Sequence, residues 1–215
     1  MEKSLRIKRI VLLGAATVVV AAVVARLWIA RFESDGASLG GTSGAVGIEF
    51  LDNAQTNTNQ VPDLSGITFL DLDGNQVALA DYRDKKNVVL VFTRGYPGYL
   101  CLFCMTQTSR LITNYDQFKD LDAEVLVVFP GNRQDVQKLI RESKSKAHSE
   151  QVPFPILLDE EFRAVDAFGI RGNLAKPATY IFDKQGGLRF AYVGETISDR
   201  PSIKALLKQL EFIAQ

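Results

Sequence analysis

Cysteine and histidine are scarce in this sequence: Cys101 and Cys104 are its only thiols and His148 its only imidazole. One cysteine pair cannot form a disulfide scaffold. Two thiols and one imidazole also fall short of the four Cys/His ligands of a structural zinc site. What remains for the cysteines is redox chemistry, an incidental buried pair, or capture of a metal with some third ligand. His148 sits in a polar Ser/Lys stretch and reads as a surface residue rather than a ligand. An excess of charge is lacking too, because Lys plus Arg equal Asp plus Glu at 25 each. Without a cationic field to hold a phosphate backbone by counterion release, nucleic acid is not expected as a partner. The 215 residues, 47% hydrophobic and 23% charged, suffice for one domain whose core needs no disulfide staples and leave little room for two. No internal repeat is visible.

One long apolar run stands apart from the rest. Residues 10–25 carry no charge, and Leu27 to Ala30 extend the run past Arg26 to 21 residues in all. At about 1.5 Å per residue such a helix spans the roughly 30 Å hydrocarbon core of a bilayer. Trp28, Arg26 and Arg31 suit its far interface. Lys3, Arg6, Lys8 and Arg9 precede the run, and no Lys or Arg occurs between Arg31 and Arg83. The positive-inside rule then places the N-terminus in the cytoplasm and the C-terminal domain outside it, in a periplasmic or other extracytoplasmic space. A cleaved signal peptide is the competing reading, although no A-x-A site follows the run directly. A buried core helix would need protein on every side.

Three segments follow from this: a basic stub and membrane anchor over 1–31, a Gly/polar tether over 32–60, and a folded domain over 61–215. The tether holds Gly36, Gly40, Gly41, Gly44 and Gly47, then the polar tract Asn53 to Gln60. Within it Ile48 to Leu51 is apolar but too short for periodicity to decide whether it docks. In the domain, Ile67–Asp71 and Gln76–Leu79 flank a Gly-Asn turn and read as a hairpin. Asn87–Thr93 and Ala123–Phe129 read as buried strands, Phe154–Leu158 as a short strand interrupted by Pro155, and Ala178–Asp183 and Leu188–Val193 as a closing hairpin. Helices are expected after Cys101 (Leu111, Tyr115, Phe118), after Asn132 as N-cap (Val136, Leu139, Ile140), around Glu160 to Phe168, and from Pro201 onward. That order gives an α/β thioredoxin-like fold, a mixed sheet with helices on both faces, preceded by a single N-terminal transmembrane helix.

The chemistry falls where the strand ending at Thr93 hands over to a helix. Cys101 and Cys104 have i, i+3 spacing at that helix start, so their sulfurs can meet. The unpaired N–H groups and the helix dipole there favour a thiolate.

From Val61 to the end the chain resembles the alkyl hydroperoxide reductase and thiol-specific antioxidant branch of the peroxiredoxins, close to membrane-anchored thioredoxin-like oxidoreductases. The resemblance runs through Val61–Leu64, Asp73–Leu79, Val89–Gly95, Phe154–Asp159 and Lys176–Asp183. Pro97, Cys101 and Cys104 fit the spacing of the family's Pro-x-x-x-Thr/Ser-x-x-Cys pattern. Cys104 then falls at the peroxidatic position, and Cys101 replaces the hydroxyl residue, making a C-x-x-C. Pro177, before Ala178 and Thr179, is similar to the cis-proline that faces the thiols in thioredoxin-like proteins, at a cost of only about 0.5–1 kcal/mol over trans. The sequence departs from the family at one point. Where peroxiredoxins place an arginine that polarises the peroxide, this chain has Pro177. Arg94, Arg171 and Lys176 are the cations considered as substitutes, each of which alone reads as a solvated surface charge.

Two enzyme readings and one other stay open. In the first, the pair reduces hydroperoxides through Cys104 and is itself reduced by a dithiol partner such as a thioredoxin-like protein. In the second, the pair exchanges with protein disulfides, with Cys101 as the attacking thiol. The third is a non-catalytic module that binds a partner or a metal. Candidate substrate-binding residues are Pro97, Pro177 and Arg94. The resemblance implies no cofactor and no metal, and the membrane is a partner only through the N-terminal helix.

Overall fold

Residues 48, 50–59, 67–95 and 98–214 are described by the computed structural model. They all belong to the compact unit Gly47–Gln215. The expected membrane span, most of the tether, Val61–Leu64 and Pro97 lie outside the described residues. Among the described residues no helix is long and apolar enough to cross a membrane.

The uninterrupted apolar runs become the centre of the sheet. Strand β1 (Thr68–Asp71) and β2 (Gln76–Ala78) form the opening hairpin. β3 (Asn87–Phe92) and β4 (Ala123–Phe129) follow, then β5 (Ile156–Leu158), β6 (Ala178–Phe182) and β7 (Leu188–Val193). They pair in the order β2-β1-β5-β4-β3-β6-β7. β3 is parallel to β4 and antiparallel to β6, and β4 is parallel to β5, which makes the sheet mixed. A strand buried on both faces has no polar side to show, hence the continuous Val/Leu/Phe run of β3. Its Val89 and Val91 enter one core, and Val88, Leu90 and Phe92 enter the other.

Helices cover both faces, as the sequence predicts. The first core takes Leu111 and Ile112 from α1 (Leu102–Thr113), Phe118 from α2 (Tyr115–Asp120), Val136 and Leu139 from α3 (Arg133–Ala147), and Leu206 and Leu210 from α5 (Ile203–Ile213). The second takes Ala164 and Val165 from α4 (Arg163–Ala167) and the ring of Phe168, 4.8 Å from that of Phe92.

Four local expectations change. The helix expected through Phe118 breaks at Asn114, whose side-chain amide donates to the Arg110 carbonyl at 2.7 Å. β5 begins only at Ile156, because Pro155 has no N–H to pair, although its carbonyl still accepts from Val127 N–H at 3.1 Å. α4 is short, its first turn held by the Asp159 carboxylate, which accepts from Ala164 and Val165 N–H at 3.2 and 2.9 Å. Pro201 is not the first residue of α5; Ser202 caps that helix, accepting from Ala205 N–H at 3.2 Å, and Pro201 stands just before it.

The largest difference lies in residues 48 and 50–59, which dock on the domain instead of tethering it. Leu51 forms a parallel bridge with Pro201. Phe50 and Ala54 are buried, and Asn57 exchanges two side-chain hydrogen bonds with the Val193 backbone, both 2.9 Å. The folded unit therefore begins about a dozen residues before Val61.

Candidate active site

The site starts with the geometry of one helix end. β3 ends in the core, and the chain turns away through Thr93 and Gly95. At Gly95, φ is +90° and a Cβ would lie 2.4 Å from the Pro130 carbonyl oxygen. Only glycine lets the β3 loop pass so close to the loop after β4. The chain then enters α1 with Cys101 as its N-cap residue. The Cys101 sulfur accepts from Cys104 N–H at 3.4 Å, the bond that a Ser or Asp oxygen makes at an ordinary N-cap. Both cysteines are free thiols and buried. The neighbouring Tyr99 and Leu102 are 60% and 52% exposed.

Cys104 is surrounded by donors. Arg94 backbone N–H reaches its sulfur at 3.5 Å, and the Nη2 of Arg200 at 3.3 Å. Arg200 is only 1% exposed. Its Nη1 donates to the Gln107 side-chain oxygen, one helical turn beyond Cys104, and its Nε donates to the Ile197 carbonyl at 3.0 Å. Among the described residues no carboxylate pairs with this buried guanidinium. The sulfur of Cys104 is thus the group on which its charge can act.

The electrostatics of the two thiols diverge accordingly. Burial alone pushes Cys104 up. Hydrogen bonding from Cys101, the charge of Arg200, the Arg94 N–H and the direct Arg200 hydrogen bond outweigh it and bring Cys104 down to about 6. Cys101 moves the opposite way, raised first by its hydrogen bond to Cys104, then by burial and by the neighbouring thiolate. A buried thiolate held by a guanidinium and two hydrogen-bond donors is a nucleophile at neutral pH, and the thiol beside it stays protonated.

The loop that carries Arg200 is itself clasped. The Asp199 carboxylate accepts from the Tyr192 hydroxyl at 2.6 Å and from Glu195 N–H at 3.0 Å. At Gly194 a Cβ would lie 2.2 Å from the Asp199 carbonyl oxygen and 3.0 Å from the Pro177 ring. The loop folds back on itself only because that position is glycine.

Several residues expected at the site take other places. The bond before Pro177 is trans, since no cis peptide occurs among the described residues. Pro177 is a structural anchor: its carbonyl accepts from Gly194 N–H at 2.8 Å at the root of the Arg200 loop. The cis-proline expected from thioredoxin-like proteins is therefore corrected, and the client groove it would mark loses its support. Arg94 contributes its backbone to Cys104, while its guanidinium donates to the Tyr99 hydroxyl at 3.4 Å, on the exposed loop. Arg171 pairs with Asp166 on the surface and Lys176 is exposed, so neither is the missing cation. Pro97 lies outside the described residues. His148 ends α3 in a left-handed conformation, φ 50°, and is exposed. Among the described residues no cluster of three His, Cys, Asp or Glu side chains could hold a metal.

Arg200 and Gln107 are the functional residues that the sequence reading missed. Gln107 had a legible signal, because i, i+3 from Cys104 places it on the same helix face. Arg200 had none of comparable strength.

The AhpC/TSA family model matches residues 58–191. Peroxiredoxin Bcp of Bacillus subtilis is 28% identical over 124 residues, covering 54% of this chain and 72% of that protein. A chloroplastic 2-cysteine peroxiredoxin of Chattonella marina var. antiqua is 24% identical over 149 residues, 68% and 75% of the two chains. Among solved structures, peroxidoxin BcpB of Mycobacterium tuberculosis superposes with a TM-score of 0.57 at 18% identity, covering 74% of this chain and 99% of that one. A cysteine-to-serine mutant of peroxiredoxin 6 from Arenicola marina gives 0.63 at 15% identity, covering 73% and 74%. The structural likenesses establish the fold.

Proposed function

Because the chain belongs to the AhpC/TSA family, the peroxiredoxin family of thiol-dependent peroxidases, we propose that it reduces hydroperoxides with Cys104 as the attacking thiolate and Cys101 as the resolving thiol. The observation that carries this reading is Arg200 seated on the Cys104 sulfur. A cation that hydrogen-bonds the C-terminal cysteine favours the thiolate there over one at Cys101, opposite to the order a thioredoxin-type exchanger requires.

The chemistry balances as follows. The Cys104 thiolate attacks the terminal oxygen of ROOH, the S–O bond forms, the O–O bond breaks, and RO⁻ leaves to take a proton from solvent as ROH. Cys104 is now a sulfenic acid. The Cys101 thiol attacks its sulfur, a disulfide forms, and the sulfenic oxygen leaves as water. A dithiol partner of thioredoxin-like chemistry returns the pair to two thiols by exchange. At the attack, Arg200 and Arg94 N–H stabilise the thiolate. Arg200, seated on the attacked sulfur, is also the cation available to charge developing on the departing oxygen. Gln107 holds the guanidinium in that orientation. Direct exchange with protein disulfides is the weaker reading, because Pro177 is trans and the low-pKa sulfur is Cys104.

Residues 10–30 supply a membrane anchor in the same proposal, with the domain outside the cytoplasm, supported by the apolar run and the basic residues before it. Retention of the full chain on membranes through an alkaline carbonate wash is the expected result; release into the wash contradicts the anchor.

The catalytic proposal is tested on the reduced full chain with one equivalent of hydroperoxide. Peptide mapping should find the Cys101–Cys104 disulfide in wild type, and in Cys101→Ser a sulfenic acid on Cys104 that a dimedone-type probe labels. A probe adduct on Cys101 in Cys104→Ser, with none on Cys104 in Cys101→Ser, would overturn it.

A further inference from the structure

The segment that docks ahead of β1 touches the site at its least expected component. Leu51 N–H donates to the Arg200 carbonyl at 2.8 Å, and Ser202 N–H donates to the Leu51 carbonyl at 3.0 Å. Leu51 therefore brackets the backbone of the very residue whose guanidinium sits on Cys104. Its side chain does little of this work, being 44% exposed. Contacts on both sides fix where Leu51 can lie. Upstream, Arg110 of α1 donates to the Ile48 carbonyl at 2.6 Å and stacks over the Phe50 ring, 4.7 Å from its centroid. Downstream, Ala54 is buried in the same core cluster as Cys101 and Cys104. Further on, Asn57 N–H donates to the Ala191 carbonyl at 3.0 Å, beside the two bonds between Asn57 and Val193.

We propose that the strap Phe50–Asn57 is the positioning element for Arg200, with the Leu51 backbone setting the seat of the guanidinium on the Cys104 sulfur. Residues 96 apart in sequence are brought together at this contact, and the loop 194–200 offers Arg200 no regular secondary structure to ride on. A strap that pairs on both sides of Arg200 supplies the rigidity that a strand or helix would otherwise give. Among the described residues, the ionisable groups facing the sulfur are Cys101 and Arg200, with Arg94 present through its N–H. Displacing Arg200 removes the only cation among them.

Coupling of this kind is reciprocal. If the strap seats Arg200 against the thiolate, loss of the thiolate on oxidation must weaken the strap. The disulfide form leaves Arg200 buried with no anion opposite it, which loosens the bonds from Leu51.

The inference rests on Arg200 acting on Cys104, and the experiment separates the two. In the full chain, Leu51→Pro deletes the N–H that reaches Arg200. Thiolate absorbance against pH should show the Cys104 midpoint higher by about one unit, a tenfold change in the thiolate equilibrium. Oxidation at pH 7 should slow about twofold and match wild type by pH 9. Leu51→Val, which keeps the N–H, should match wild type. Asn57→Ala, which loosens the β7 end of the strap, should raise the midpoint in the same direction as Leu51→Pro and by less. A wild-type midpoint in Leu51→Pro, with Arg200→Met still raising it, overturns the strap alone. A wild-type midpoint in Arg200→Met overturns the reading beneath it. If Leu51→Pro does not fold, amide exchange in wild type decides. Leu51 and Ser202 should exchange at least threefold faster in the disulfide form than in the reduced form; equal rates contradict the strap's role.

Discussion

Two parallel neighbours in the sheet, β3 and β4, each hand over to a helix, and the two helix starts use the same bond for different ends. At α3, Asn132 caps and its side-chain oxygen accepts from the N–H of the third helical residue, Asp135, at 2.9 Å. At α1, Cys101 caps and its sulfur accepts from the N–H of the third helical residue, Cys104, at 3.4 Å. The acidic residue at the third position of α3 is answered by Lys138 at 2.9 Å. The sulfur at the third position of α1 is answered by a buried arginine from a distant loop. An oxygen cap on a surface helix stabilises the fold and does nothing else. A sulfur cap is a weaker acceptor, and what it gives up in capping it returns as a protonated thiol beside a thiolate, the pairing that the proposed two-step oxidation needs.

Exchanging the features of these two helix starts should produce graded effects. The largest is at the nucleophile: Cys104→Ser should lower hydroperoxide consumption on the order of 10³-fold or more, because an alcohol near neutral pH is no substitute for a thiolate. Steady-state peroxide assays with a dithiol reductant read this, and retained activity would move the nucleophile elsewhere. Next is the cation. An opposite charge at this distance lowers a pKa by about 1–3 units, so Arg200→Met should raise the Cys104 midpoint by that range. The rate at pH 7 should fall about tenfold and recover as pH rises towards 9. A loss that high pH does not restore would assign Arg200 a role other than thiolate stabilisation.

Smaller effects appear in stability. Cys104 is held at about 6, below its ordinary value near 9, so between those pH values the unfolded chain binds more protons than the folded one. The stability this adds is present above about 9 and lost as pH falls through about 6. The Tm difference between reduced wild type and Cys104→Ser should therefore shrink from pH 9 to pH 6, at about 2–4 °C for each kcal/mol. Cys101, raised in the fold, acts with the opposite sign, its contribution present below about 9 and lost as pH climbs beyond it. Calorimetry that finds the wild-type advantage constant from pH 6 to 9 would contradict the shifted thiolate. The smallest effect belongs to the ordinary cap: Asn132→Ala should cost about 1 kcal/mol and leave the Cys104 midpoint untouched.

The elements that carry their own periodicity were legible from sequence. Ala123–Phe129 and Leu188–Val193 fall where the apolar runs put them, and Asn132 caps α3 as its position before Val136, Leu139 and Ile140 implies. The cysteine pair was placed correctly at a strand-to-helix junction, since spacing and a preceding buried strand are local signals. Arg200 was not legible: it lies between Asp199 and Pro201 in a loop, and nothing in that stretch separates a buried arginine from a solvated one. Arg94, Arg171 and Lys176 stand nearer in sequence to the motifs, yet the first two spend their guanidinium groups on surface pairs and Lys176 is simply exposed. Likeness to thioredoxin-like proteins implies a cis bond before Pro177, whereas its trans bond and its carbonyl, held by Gly194 N–H, depend on a loop that the motif does not contain. Phe50 and Leu51 span too few residues for a period, and their docking depends on partners 60 and 150 residues away.

The assignment of roles within the cysteine pair is tested most directly by the pH dependence of alkylation of each thiol in the reduced full chain, followed residue by residue by mass spectrometry. The expected result is a midpoint near 6 for Cys104, with Cys101 alkylated only at pH well above its ordinary range. A low midpoint at Cys101 and an ordinary or raised one at Cys104 would reverse the roles of the two thiols and contradict the peroxidatic assignment.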